Sequence, residues 1–261
     1  MKLHNSLTLS KLSSYEKKAR NMICLPLDGI NSISELRSRV KELSPYVGLF
    51  KIGKESFTKF GPSIIDIVHK FNSKVFLDLK YHDIPATVKG AVSAACLLGV
   101  KIVNVHASGG SEMLKAAVSG LKNKTTKLIA VTVLTSLDDN SLHEIGIDED
   151  VNNHVLRLAN LTAECGLHGI VCSAKDLNFI KKKLPKNFMY VTPGISGIDN
   201  NVGNDQKRVM RADEAVISGA SILVIGRAIT GYNTKKERCI AARNILTKIA
   251  NVLFERDKKK K

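Results

Sequence analysis

Apolar positions in this chain come in short continuous runs, and each run is followed by a stretch with helical periodicity. The first run covers residues 22–27 and ends at Asp28; a helix pattern follows over 33–43, with Ser32 or Ser34 as cap and Glu35 in its first turn. The second covers 48–50 and ends at Lys51, with a helix predicted over 62–71. The third covers 75–77, ends in Asp78 and Lys80, and leads into a helix over 85–98. The fourth, 102–105, ends at His106 before a helix over 111–121. The fifth, 128–134, ends at Thr135 and Ser136; the best helical pattern after it is 151–165. The sixth, 169–172, ends at Ser173 before a helix over 174–184. The seventh, 188–191, ends in Thr192-Pro193-Gly194, and the eighth, 221–225, ends in Gly226-Arg227 before a last helix over 235–254.

Continuous apolar runs are what parallel strands buried on both faces require. Strand–helix alternation predicts a parallel sheet with right-handed crossovers. Eight such units predict an α/β fold, a single (β/α)8 TIM barrel over residues 22–254. An open doubly wound sheet is the alternative, weakened because no GxGxxG follows the first strand. A basic, Ser-rich extension, 1–21, precedes the barrel; it contains a short extra helix over 13–21 placed to cover one end. A basic tail, 255–261, reads as disordered. In a barrel all strand C-termini lie on one face, where active sites form. Asp28, Lys51, Asp78, Lys80, His106, Thr135, Ser136, Ser173, Gly194, Gly226 and Arg227 are therefore predicted to ring one mouth.

Composition narrows the picture. The 261 residues carry a net charge of +16, but residues 1–20 hold +4 of it and residues 235–261 hold +7. A nucleic-acid protein would carry that charge on its folded surface, interleaved with aromatics; with aromatics at 5% and the surplus in the ends, no nucleic-acid partner is expected. Attraction to phosphorylated ligands remains compatible with the sign. No apolar run approaches a membrane span and no secretory signal pattern opens the chain, although an organellar transit peptide has a similar composition. The five cysteines, Cys24, Cys96, Cys165, Cys172 and Cys239, are odd in number, and no pair has metal-ligand spacing. They read as free thiols of a reducing compartment, which makes a cytoplasmic location the expectation; Cys172 as a nucleophile lacks a base partner. His4, His69, His82, His143, His154 and His168 show no metal spacing either, so no metal is expected.

The chemistry concentrates in residues 78–87, where a strand hands over to a helix. Asp78 and Lys80, two apart on a strand, face the same side. Asp83 adds a second carboxylate, and Lys51 a second cation from the neighbouring strand. Simpler readings exist: Asp83 as a cap before Pro85, Asp78 and Lys80 as a structural ion pair. Alternating signs in Lys51, Asp78, Lys80 and Asp83 stabilise each charged form. A lysine held protonated does not suit Schiff-base chemistry. It suits stabilising a developing carbanion and giving it a proton. Gly226-Arg227, after the eighth strand, sits where such barrels bind phosphate, with a surface arginine as the alternative. The Gly- and Asn-rich stretch 196–207 reads as a lid over the mouth, bringing Gln206 to a ligand. His106 reads as a hydrogen-bonded support more readily than as a catalyst.

Residues 78–87, DLKYHDIPAT, resemble the DxKxxDIPxT signature of the orotidine 5′-monophosphate (OMP) decarboxylase family. Collinear support comes from Asn104-Val105-His106-Ala107, residues 131–136, Thr192-Pro193-Gly194-Ile195, Asn204-Asp205-Gln206 and Ile225-Gly226-Arg227, so the resemblance spans roughly residues 22–232. It implies cofactor-free conversion of OMP to UMP and CO2 by a homodimer with shared active sites. Lys80 would protonate C6, with Asp78 beside the scissile carboxylate and Asp83 supplied by the partner subunit. Asp28 and Lys51 would contact the ribose, Thr87 would reach the ligand, and Thr135 or Ser136 would face the pyrimidine. Gln206, Gly226 and Arg227 would hold the phosphate.

One position departs from the pattern: Ser196 stands where many bacterial members carry Arg, and Arg208 is a candidate to compensate. Two competitors remain at this level. Sister barrels that share Asp-x-Lys-x-x-Asp, such as 3-keto-gulonate 6-phosphate decarboxylases and hexulose-phosphate synthases, use Mg²⁺; Ile84, Pro85, Thr87 and Lys51 favour the OMP reading. A basic, non-enzymatic RNA-binding barrel is the other.

Overall fold

The computed structural model describes residues 12–196 and 210–259. In chain order its strands are β1 (Ile23–Pro26), β2 (Leu49–Gly53), β3 (Lys74–Tyr81), β4 (Ile102–His106), β5 (Lys127–Val131), β6 (Gly169–Val171), β7 (Met189–Thr192), β8 (Ile195–Ser196), β9 (Met210–Arg211) and β10 (Ile222–Val224). Eight of them close into a parallel barrel in the ring order β1-β10-β7-β6-β5-β4-β3-β2, and β8 pairs with β9 in a separate two-stranded sheet. The predicted (β/α)8 barrel is the observed fold.

The helices are α1 (Ser14–Met22), α2 (Ile33–Leu43), α3 (Lys54–Phe60), α4 (Ser63–His69), α5 (Pro85–Leu97), α6 (Gly110–Ser119), α7 (Asp139–Glu144), α8 (Val151–Glu164), α9 (Leu177–Ile180), α10 (Ala212–Ser218), α11 (Arg227–Thr230) and α12 (Lys235–Lys258). Two apolar layers follow from the strand alternation. Cys24, Leu49, Phe76, Ile102, Ile129, Val191 and Ile222 fill the barrel interior. Their neighbours, such as Leu25, Phe50, Val75, Val103 and Leu223, point outward into the larger layer under the helices. Runs that are apolar at every position are needed for this two-sided burial.

The N-terminal extension is tied into the barrel. Ser13 caps α1 in a capping box with Glu16. The buried Arg20 donates to the Ser44 carbonyl at 2.8 and 2.9 Å, and its own carbonyl accepts from Gly48 N–H at 2.8 Å. Gly48 precedes β2, so α1 covers the end of the barrel where strands begin. A Cβ at Gly48 would stand 2.5 Å from the Arg20 carbonyl oxygen, so only glycine permits this approach.

Three differences from the sequence-based boundaries have a physical reading. The predicted tail from 255 onward begins inside α12, which runs to Lys258. Tyr15 packs edge-on against Phe254, and Lys18 reaches Asp257 at 3.4 Å, so α1 holds the helix end. The predicted helix over 174–184 shrinks to α9 plus a 3-10 turn at Lys181–Lys183; Pro185 disfavours helical backbone at Leu184. The fifth strand stops at Val131, short of the predicted 134, although the Thr132 amide and hydroxyl still donate to the Val171 carbonyl.

Candidate active site

β1, β2 and β3 deliver charge to the C-terminal mouth. Lys51 projects from β2 and is nearly buried. Its ammonium lies 3.1 Å from Asp28 Oδ2 and 3.4 Å from Asp78 Oδ2. Lys80 Nζ lies 2.6 Å from Asp78 Oδ1. The sequence-predicted Asp28, Lys51, Asp78 and Lys80 thus form one connected chain of alternating charge. Burial alone lowers the Lys51 pKa, but Asp78 and Asp28 outweigh it and the net shift is upward. Lys51 is therefore a fixed cation.

Asp78 and Lys80 do not meet by simple strand alternation. Leu77 pairs with Val103 and Tyr81 with Val105, so residues 78–80 of β3 occupy the step that Asn104 alone spans on β4. Within this bulge Lys80 has φ +52°, a left-handed backbone for a residue with a side chain. Such a conformation costs about 1–3 kcal/mol and persists only where its surroundings hold it. Asn104, fully buried, does so: its Oδ1 accepts from Lys80 N–H at 2.9 Å and its Nδ2 donates to Asp78 Oδ1 at 2.7 Å.

Two adjoining cavities open at this mouth and share Lys51, Pro193 and Val224. The deeper, about 190 Å³, has Asp78, Lys80 and Thr135 at its wall and an apolar floor of Phe76, Val131, Val171 and Val191. The wider, about 430 Å³, is lined by Asp28, Gly194, Gly226 and Arg227. Of the alternatives for the pyrimidine wall, Thr135 lines the cavity, whereas Ser136 is exposed and lines neither.

Other predicted positions fall elsewhere. Asp83 makes no ion pair with the described residues; its Oδ1 accepts from Ile84 N–H at 2.6 Å. Asp83 and Thr87 are exposed and line neither cavity. Ser173 is buried in a turn, its amide donating to Asp176 Oδ2 at 3.0 Å, and is not part of the mouth lining. Ser196 is fully buried and its hydroxyl meets the Met210 carbonyl at 3.3 Å, so it closes the β8–β9 pair. Gln206 and Arg208 lie outside the described residues. Burial, then Asp176, push the Cys172 thiol well above its usual value, so it stays protonated and inert.

His106 ends β4 with its ring 5.6 Å from that of His82. Burial, then His82, Lys54 and Lys80, lower its pKa to about 4, which makes it a neutral imidazole. Among the described residues no cluster of three or more His, Cys, Asp or Glu could hold a metal.

Two supporting roles are visible only in the structure. One is that of Asn104, which the sequence offers only as part of the Asn104-Val105-His106-Ala107 motif. The other is that of Gly53: a Cβ there would stand 2.9 Å from Lys51 Nζ and 3.0 Å from Asp28 Oδ1. Its bare backbone leaves room for that ion pair.

Comparison with known proteins identifies the family. Residues 21–242 match the model of the family described as orotidine 5′-phosphate decarboxylase / HUMPS. An orotidine 5′-phosphate decarboxylase of Syntrophus aciditrophicus is 41% identical over 256 residues, covering 95% of this chain and 99% of that one. One of Idiomarina loihiensis is 50% identical over 186 residues, 70% of this chain and 80% of that one. The crystal structure of orotidine 5′-phosphate decarboxylase from Lactobacillus acidophilus superposes with a TM-score of 0.72 at 31% identity, covering 86% of this chain and 98% of that one. A family model matched over residues 21–242 and a relative 41% identical over 95% of this chain leave one assignment: the chain belongs to the orotidine 5′-phosphate decarboxylase / HUMPS family.

Proposed function

We propose that the charged cluster carries out the decarboxylation of OMP to UMP and CO2, with Lys80 as proton donor. The observation that carries this reading is the Lys51–Asp78–Lys80 chain at the wall of a cavity with an apolar floor. The pyrimidine fills the deeper cavity with C6 toward Lys80. The bond from C6 to the carboxylate breaks, its electron pair stays on C6, and CO2 leaves. Lys80 stabilises the developing carbanion and then transfers a proton to C6; the amine regains a proton from solvent. A preorganised ammonium in an apolar site is worth more than in water and needs no reorganisation as charge develops. Asp78 holds that ammonium and lies beside the departing carboxylate.

Lys51, shared by the two cavities, and Asp28, its partner in the wider one, serve the ribose. Gly226 and Arg227 line the wider one and serve the phosphate, joined by Gln206. Thr135 faces the base. Phosphate binding remote from C6 can stabilise the transition state as well as the ground state. Net charge of +16 favours approach of the anionic substrate.

Asp83 and Thr87, exposed on one segment, serve the site of a second copy, making the active unit a homodimer. The enzyme is read as cytoplasmic and as free of metal and organic cofactors. No described helix is long and apolar enough to cross a membrane. Lys51 already occupies the place between the Asp28 and Asp78 carboxylates that a divalent cation would contest. Purified protein mixed with OMP and EDTA should lose the orotate absorbance. No turnover by the wild type, or turnover abolished by EDTA and restored by Mg²⁺, would defeat this reading; the second outcome would point to the sister barrels.

A further inference from the structure

We propose that Asn104 is a positioning residue for this decarboxylation: one amide group fixes both the carboxylate of Asp78 and the backbone of Lys80. The role rests on the decarboxylase reading and deepens it.

The bulge between Leu77 and Tyr81 breaks the regular ladder of β3 against β4. Lys80 N–H is thereby removed from ordinary backbone pairing, and an unpaired buried donor is costly. Asn104 Oδ1 takes that hydrogen bond at 2.9 Å, while Asn104 Nδ2 gives one to Asp78 Oδ1 at 2.7 Å. Only one orientation of the amide satisfies both, because a backbone N–H needs an acceptor and a carboxylate needs a donor. The same Asp78 Oδ1 receives Lys80 Nζ at 2.6 Å. Asn104 therefore closes a ring that joins the start of the bulge, its strained residue and the proton-donating ammonium.

No other small side chain reproduces this. Leucine offers neither hydrogen bond. Serine is too short to span from one strand to both groups of the next. Aspartate has the right shape and keeps the acceptor, but it can donate to Asp78 only when protonated. Two carboxylates at this distance share one proton, which raises the pH at which it is lost. The charged groups around the position are Asp78 and Lys80 from β3, Lys51 reaching Asp78 from β2, and His106 two residues along β4.

The experiment compares wild type, Asn104→Leu and Asn104→Asp. It measures kcat and KM for OMP from pH 5 to 9, UMP affinity by calorimetry, and Tm. Asn104→Leu should lower kcat about 100-fold, the scale expected when reacting groups are misplaced by an ångström, with UMP affinity within about threefold. Asn104→Asp should be as poor at high pH and recover as pH falls, after correction for the wild-type profile. Leucine-variant kcat within about threefold of wild type would overturn the role, as would a loss confined to UMP binding. So would an aspartate variant that fails to recover at low pH. If Asn104→Leu does not fold, the near-isosteric Asn104→Asp decides alone. Wild type that leaves OMP unchanged would instead overturn the decarboxylase reading itself.

Discussion

The Lys80 ammonium touches Asp78 Oδ1 at 2.6 Å although only one residue separates them on β3. A left-handed Lys80 backbone within a bulge makes this short bridge. In the proposed mechanism, removing the ammonium would leave Asp78 facing the substrate carboxylate with Lys51 as the one cation at its side, and would remove the proton for C6. Lys80→Ala is expected to lower kcat by about 10³-fold or more, combining loss of a proton donor with loss of electrostatic stabilisation. Single-turnover loss of orotate absorbance measures it. A variant within tenfold of wild type would sink the assignment.

Asp83 stands outside the Asp28–Lys51–Asp78–Lys80 chain, on an exposed segment. If it completes a partner's site, two inactive variants should rescue one another. Asp83→Ala and Lys80→Ala are each expected to be nearly inactive. After mixing and subunit exchange, statistical pairing in a two-fold dimer restores about a quarter of the sites, because half the dimers are mixed and each has one intact site. Activity that stays at the sum of the separate variants after verified exchange would remove Asp83 from the partner's site.

The charged residues at strand ends were legible because β/α rhythm fixes where a parallel strand stops, and a barrel gathers all those stops on one face. Asp28, Lys51, Asp78 and Lys80 come together for that reason. The means by which Asp78 meets Lys80 was hidden. Simple alternation predicts the pairing, but the molecule achieves it through a bulge, which depends on the register with β4. The roles of Asn104 and Gly53 were hidden for a related cause: each matters through a neighbouring strand. Thr135 and Ser136 were indistinguishable because β5 stops at Val131 and the backbone turns before either. Ser173 follows the end of β6, as predicted, yet it serves a turn: its amide donates to Asp176 Oδ2 and its hydroxyl accepts from Lys175 N–H.

Arg227 lines the wider cavity together with Gly226, away from the floor that would receive the base. Its removal should weaken the phosphate end and leave the chemistry at C6 intact. Charge-assisted hydrogen bonds contribute about 1.5–3 kcal/mol, so Arg227→Ala is expected to lower kcat/KM for OMP about 10- to 100-fold. The same variant should process orotidine, which lacks the phosphate, as slowly as wild type does. Equal losses on both substrates would show that Arg227 supports the fold or the base site instead.

His106 supplies a pH signature of the folded state. Burial, then His82, Lys54 and Lys80, lower its pKa to about 4, with Asp78 opposing, against an ordinary value near 6.5. A base whose pKa falls on folding binds its proton more readily when unfolded. Stability therefore rises with pH wherever the unfolded chain holds more protons. The His106 contribution is fully present above pH 6.5, declines as pH falls toward 4, and levels off below that. The ring is only half-buried, so solvent screening reduces the linkage to about 1–2 kcal/mol. That corresponds to a few degrees in Tm for a chain of this size. Thermal unfolding of wild type and His106→Gln between pH 4 and 7.5 tests it. The wild-type Tm should fall more steeply below pH 6.5 than the variant's. Parallel curves would mean that His106 is solvated in the folded protein and that its neighbours do not oppose its charge.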